Sequence, residues 1–83
     1  MRMEHYVTAY DSESEELLAF VFSVPGAFMQ RVREIARVAP SDIDAIGSYP
    51  LTEEEAYKIA RLLNRPLDFN SKTVFFLEPI SQE

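Results

Sequence analysis

The sequence has no cysteine and no tryptophan, one histidine, and two glycines among its 83 residues. Without cysteine there is no disulfide, no thiol nucleophile and no thiolate metal ligand, which fits a reducing compartment. His5 has no companion histidine for a metal site, and no carboxylates stand beside it at ligand spacing. Two glycines cannot build a dinucleotide or phosphate loop. The serines lack a nucleophile-elbow pattern and have one candidate base between them. Carboxylates are plentiful, but a glycosidase-type pair needs a cleft that a chain this short rarely supplies. Long apolar runs are missing too. Leu17-Leu18-Ala19-Phe20-Val21-Phe22 is too short to span a bilayer, and Met1-Arg2-Met3-Glu4-His5 has no signal-peptide character. The expectation is a cytoplasmic, non-catalytic protein with no cofactor and no metal.

Basic residues are scarce. Eight Lys and Arg face 14 Asp and Glu, for a formal net charge of −6 and a pI near 4.7. This argues against direct nucleic-acid binding, which normally needs a basic face, and against docking on anionic lipid. It suits a chain that meets a basic partner. The length allows one small domain spanning 1–83, with a folded surface of about 5,000 Å² and roughly 60–65% of the open chain's area buried. An apolar share of 47% is that of a globular chain.

Residues 4–10 alternate as a strand, with Tyr6, Thr8 and Tyr10 on one face and His5, Val7 and Ala9 on the other. Asp11-Ser12-Glu13-Ser14 favours a hairpin tip. A second strand follows over 15–23. Its apolar side chains on both faces predict either a central, doubly covered strand or a surface strand with one bare face that marks a binding site. Phe28, Val32, Ile35 and Ala36 set the inward stripe of a first helix over 26–38, stopped by Pro40. Its arginines form a solvated face. Residues 41–50 connect, with a short strand expected over 45–49. Thr52 and Glu55 make a capping box for a second helix over 53–63, striped by Ala56, Ile59, Ala60 and Leu63. Asn64 suits a left-handed cap before Pro66. A last strand covers 72–78 and ends at Pro79. Residues 1–3 and 80–83 are expected to fray. The order β-β-α-β-α-β predicts an α+β domain, an antiparallel sheet with two helices packed on one face.

Two clusters of acids stand out. Asp11, Glu13, Glu15 and Glu16 fall together without a base, and so do Asp42, Asp44, Glu53, Glu54 and Glu55. If the hairpin tip and the long connection share a side, that side is a negative field that steers a basic partner. Otherwise these charges solvate a tip and cap a helix. Tyr10, Phe20, Phe22, Tyr49, Phe69, Phe75 and Phe76 lie on or beside the strands. They either fill the core or anchor contacts on the sheet face away from the helices.

The stretch from Val7 to Leu17 resembles the opening hairpin of the cloacin immunity family, with Tyr10-Asp11, a polar turn, then Glu15-Glu16-Leu17. Pro66-Leu67-Asp68-Phe69, a short turn and Phe75-Phe76-Leu77 resemble that family's C-terminal part. Gly47 to Thr52 falls at the corresponding depth before the second helix. The chain also looks like small bacterial domains of unassigned role that share the Tyr49-Pro50-Leu51-Thr52-Glu53-Glu54 step.

The cloacin resemblance implies an acidic protein on an antiparallel sheet that binds a basic nuclease toxin domain, an RNase, without a cofactor. Tyr10, Leu17 and Phe76 occupy matching places that face the toxin, with Asp11, Glu15 and Glu16 beside them. With Glu13, Asp42, Asp44 and Tyr49 these are the expected partner-binding residues. A standard interface of about 800 Å² per partner would take roughly a sixth of the surface. The free chain is then a monomer or a weak homodimer. The alternative is a non-catalytic interaction or regulatory module, such as a sheet-mediated homodimer. A nucleic-acid mimic is a remoter choice, weakened by the arginines on both helices.

Overall fold

A computed structural model of the chain describes residues 2–68 and 70–82. Strand β1 (Arg2–Asp11) and strand β2 (Leu17–Val24) form a hairpin. A 3-10 turn at Gly26–Phe28 leads into helix α1 (Met29–Ala36). Strand β3 (Tyr49–Leu51), helix α2 (Glu53–Leu62) and strand β4 (Thr73–Gln82) complete the order. The sheet runs β2-β1-β4-β3 and every pair is antiparallel. Both helices pack on one face, so the α+β architecture expected from the sequence is the observed one. Phe69, Met1 and Glu83 lie outside the described residues.

The core sits between that face and the helices. Val7 and Ala9 from β1, Phe22 and Val24 from β2, and Phe75 and Leu77 from β4 meet Val32 and Ala36 of α1 and Ala56, Ile59 and Ala60 of α2. Ile59, Leu77, Val7 and Val32 are fully buried, each contributing about 1.5–3 kcal/mol of hydrophobic burial.

Local chemistry sets the ends of the elements. Asp11 Oδ1 accepts the N–H groups of Glu13 (2.8 Å) and Ser14 (3.1 Å), and Glu15 turns left-handed with φ 61°. Helix α2 starts with the expected capping box: Glu55 N–H donates to Thr52 Oγ1 (3.0 Å), and Thr52 N–H donates to Glu55 Oε1 (2.9 Å). It ends as expected at a left-handed Asn64, φ 54°. Arg37 at the end of α1 reaches Glu55 at the start of α2, 2.9 Å apart.

Several expectations need correction. Helix α1 stops at a left-handed Arg37, φ 57°, where Val38 N–H bonds back to the Arg33 carbonyl (3.0 Å). Pro40 is not what ends it. Arg33 is more than a solvated residue: its guanidinium donates to the carbonyls of Asp42 (3.0 Å) and Ile43 (2.9 Å). The short strand is Tyr49–Leu51 rather than 45–49, because Asp42 gathers residues 42–47 into a loop and Ala45 turns left-handed. Strand β4 runs through Pro79. Strand β3 ends opposite Leu77, so beyond that point β4 has a neighbour on one side only, where proline is tolerated. Arg2, Met3 and residues 80–82 pair in the sheet rather than fray. Of the two readings of β2, the surface strand with one bare face is the observed one: β2 is an edge strand. Its continuous apolar run comes from two register shifts, which skip Val21 and Leu18.

Thr52→Ala removes the side-chain acceptor at the start of α2. It is expected to lower stability by about 1 kcal/mol, seen as a lower urea midpoint at unchanged m.

Candidate functional site

The second face of the sheet carries no helix. Alternation along β1 puts Tyr6, Thr8 and Tyr10 there, as the sequence predicts. The register sets Thr8 opposite Phe20 and Phe76, and Tyr10 opposite Leu17 and Val74. Tyr6 and Phe20 meet edge to face with ring centroids 5.7 Å apart, and Tyr10 and Phe76 do the same at 5.4 Å. These two pairs bracket Thr8, which is fully buried although no helix covers it. Phe20 remains 52% exposed and Leu17 43%.

Glu78 stands within this apolar setting. Its Oε1 accepts the hydroxyls of Thr8 and Tyr10, both at 2.6 Å, and its Oε2 accepts the Ser48 hydroxyl at 2.9 Å. Partial burial pushes the Glu78 carboxyl up, but the hydroxyl donors of Thr8, Tyr10 and Ser48 together outweigh it and hold the group below its ordinary value. It is therefore ionised at neutral pH. The hydrogen bond to Glu78, then burial and the carboxylate charge, raise the Tyr10 phenol. A cavity of about 330 Å³ lies beside this cluster. Tyr10, Val74, Phe76, Glu78 and Ser48 line it, together with Asp11, Ser12 and Glu15 of the hairpin tip.

Of the expected partner-binding residues, Tyr10, Asp11, Glu15, Leu17 and Phe76 are brought together here. Glu13 and Glu16 are exposed on the same tip. Glu13 lies 3.4 Å from Lys72, with both side chains mostly in solvent, so that pair holds little energy. The other three residues lie elsewhere. Tyr49 pairs with Leu77 and packs against the core on the helix side. Its hydroxyl donates to Asp42 Oδ2 at 2.6 Å. Asp42 also accepts from Ile46 N–H (2.9 Å) and Gly47 N–H (3.0 Å). These bonds, the Tyr49 hydroxyl first, then Arg33's charge, hold the Asp42 carboxyl down against partial burial. Gly47 eases this closeness, since a Cβ there would stand 3.1 Å from the Tyr49 ring. Asp44 is exposed in the same loop. His5 Nε2–H donates to the Ala45 carbonyl at 3.0 Å and pins the loop to β1. His5 is five residues from Tyr10, about 17 Å along the strand. Asp42 is turned into its own loop, and neither it nor Asp44 lines the cavity with the tip acids.

Thr8, Ser48, Val74 and Glu78 were not among the expected site residues, and Phe20 was expected only as a ring of either the core or the open face. Period-two alternation through Val74, Phe76 and Glu78 marks the β4 members as sharing a face. Ser48 carries no sequence signal. Among the described residues no three His, Asp or Glu are grouped to hold a metal ion, and no helix is long and apolar enough to cross a membrane.

A family model described as a domain of unknown function, DUF7683, matches residues 4–78. The chain belongs to the DUF7683 family. No curated protein and no solved structure matches it. The matched span of the DUF7683 domain holds every residue of the open face named above.

The DUF7683 domain has a testable acid response. The folded-state value of Glu78 is depressed, so its contribution is present above the ordinary value of 4.5 and is lost as pH falls through the lower folded value. The stability gap between wild type and Glu78→Gln, from urea denaturation, is expected to be widest near neutrality. It should close as the solution is acidified below 4.5. A gap independent of pH would show that the ionised form adds nothing.

Proposed function

We propose that the open sheet face docks a cationic protein, and that the partner is the basic nuclease domain of a bacterial toxin, an RNase, for which this chain is the immunity protein. One observation supports this reading above the rest. Rings and aliphatic side chains lie open to solvent around an ionised Glu78, with the acids of the hairpin tip at one end. Contiguous exposed apolar surface of this kind marks interaction sites. The described side chains of the face include no Lys or Arg, whereas six of the eight bases (Arg31, Arg33, Arg37, Lys58, Arg61 and Arg65) lie on or just after the helices.

The physics of inhibition is direct. An RNA-cleaving domain is basic so that it can hold RNA. An acidic, ring-bearing face occupies the same field and excludes substrate by charge and bulk. An interface of about 800 Å² per partner is about a seventh of the 5592 Å² surface. The resemblance of the hairpin to the cloacin immunity family supports the same partner. A second copy of this chain fits less well, because it would set the same carboxylates against each other, and like charges in contact are costly.

Co-expression with basic nuclease toxin domains tests the proposal. Rescue of growth and co-purification of one such domain are expected. Failure of both, or a stable dimer by light scattering at micromolar concentration with the ring face buried, overturns it. Within the complex, Phe76→Ala is expected to cost about 2–4 kcal/mol of affinity, mainly through faster dissociation. Glu16→Gln should instead lower the association rate and flatten its dependence on salt. Surface-immobilised binding kinetics at two salt concentrations separate the two effects.

A further inference from the structure

We infer that the cavity beside Glu78 receives one guanidinium group, the side chain of a partner arginine. This rests on the reading that the open face docks a cationic protein, and it names the contact at the centre of that docking. Three features of the cavity carry it.

The first is unused acceptor capacity. A carboxylate offers about four lone-pair sites. Thr8, Tyr10 and Ser48 occupy three at Glu78, which leaves one on Oε2. Asp11 spends its Oδ1 on the Glu13 and Ser14 N–H groups. Its Oδ2 and the Glu15 carboxylate remain available on the lining of the same cavity.

The second is the missing countercharge. Among the described residues no basic side chain pairs with Glu78, Asp11 or Glu15. Lys72 comes within 3.4 Å of Glu13 instead, in a weak and solvated pair. Among the described residues, the lining of this cavity of about 330 Å³ carries fixed negative charge and no cation.

The third is the lining of Tyr10, Val74 and Phe76. A compact ammonium stays strongly hydrated and gains little from such walls. A guanidinium is flat, weakly hydrated and rich in donors, so it stacks on rings while its edge reaches several acceptors at once. The mixture of rings and divided carboxylates therefore selects arginine over lysine.

The probe is N-acetylarginine amide, titrated into the free protein at low salt and followed by NMR. Saturable shifts are expected at Thr8, Tyr10, Phe76 and Glu78. The neutral isostere N-acetylcitrulline amide should bind at least about tenfold more weakly, as loss of a charged hydrogen bond implies, and N-acetyllysine amide should bind more weakly than arginine. Glu78→Gln should lose the arginine shifts. Phe76→Leu, which keeps the carboxylate, should weaken them, and Asp44→Asn should leave them unchanged. Equal binding of the citrulline probe, or arginine shifts that survive in Glu78→Gln, overturns the inference. The two proposals fail separately. A chain that binds arginine amide but no basic nuclease domain sinks the immunity reading and keeps the pocket. A nuclease domain bound equally by wild type and Glu78→Gln sinks the pocket and keeps the docking face.

Discussion

Two short helices have to cover a sheet whose central strands are much longer. Helices of eight and ten residues extend about 12 and 15 Å, against about 33 Å for a ten-residue strand. They suffice for the inner part of one face and leave nothing for the other. The sheet must then shield its second face with its own side chains. Tyr6 with Phe20, and Tyr10 with Phe76, pair on either side of Thr8 along the strand, and this polar residue is fully buried with no helix above it. What remains exposed is the outer surface of those rings with Leu17 and Val74. The open face is thus a consequence of how little helix the chain contains.

The two organised carboxylates show what is special about Glu78. Asp42 and Glu78 both accept a tyrosine hydroxyl at 2.6 Å, and both are held below their ordinary values. Their settings differ in one respect. Asp42 closes its own loop through nearby backbone N–H groups and has the Arg33 charge close by. Its field is largely answered inside the molecule. Glu78 draws its donors from β1 and from Ser48, none of them charged, so its hydrogen bonds stabilise the anion without cancelling it. The loop carboxylate is architecture, and the sheet carboxylate is an unanswered charge on a surface.

Much of this fold was legible because local rules and global packing agree. The alternation of Tyr6, Thr8 and Tyr10 against Val7 and Ala9 assigns both faces of β1. Thr52, Glu55 and Asn64 mark the ends of α2. Other features depend on neighbours that no local pattern reveals. Pro79 ends a strand only where a partner needs its N–H, and β3 is too short to do so. The apolar run of β2 mimics a doubly covered strand because two bulges break its alternation. Arg37 ends α1 in a conformation usually given to glycine or asparagine. The site was half legible: the rings and the tip acids were visible, but Ser48 reaches Glu78 from 30 positions away. Asp42 and Tyr49 resemble surface residues until the loop that joins them is seen.

Net charge alone does not orient the molecule. At −6 the chain repels anions and attracts cations from every side. The fold supplies the direction. The helical layer carries most of the bases, so the positive charge the chain does possess stands behind the sheet. The acids of the loop near His5 are spent on that loop or lie on its side of the molecule. Asp11, Glu15 and Glu78 gather at the hairpin end of the open face, around one cavity. The tip acids stand in solvent, where salt screens them strongly, and the partly buried Glu78 is screened less. Carboxylates of different reach therefore share one surface.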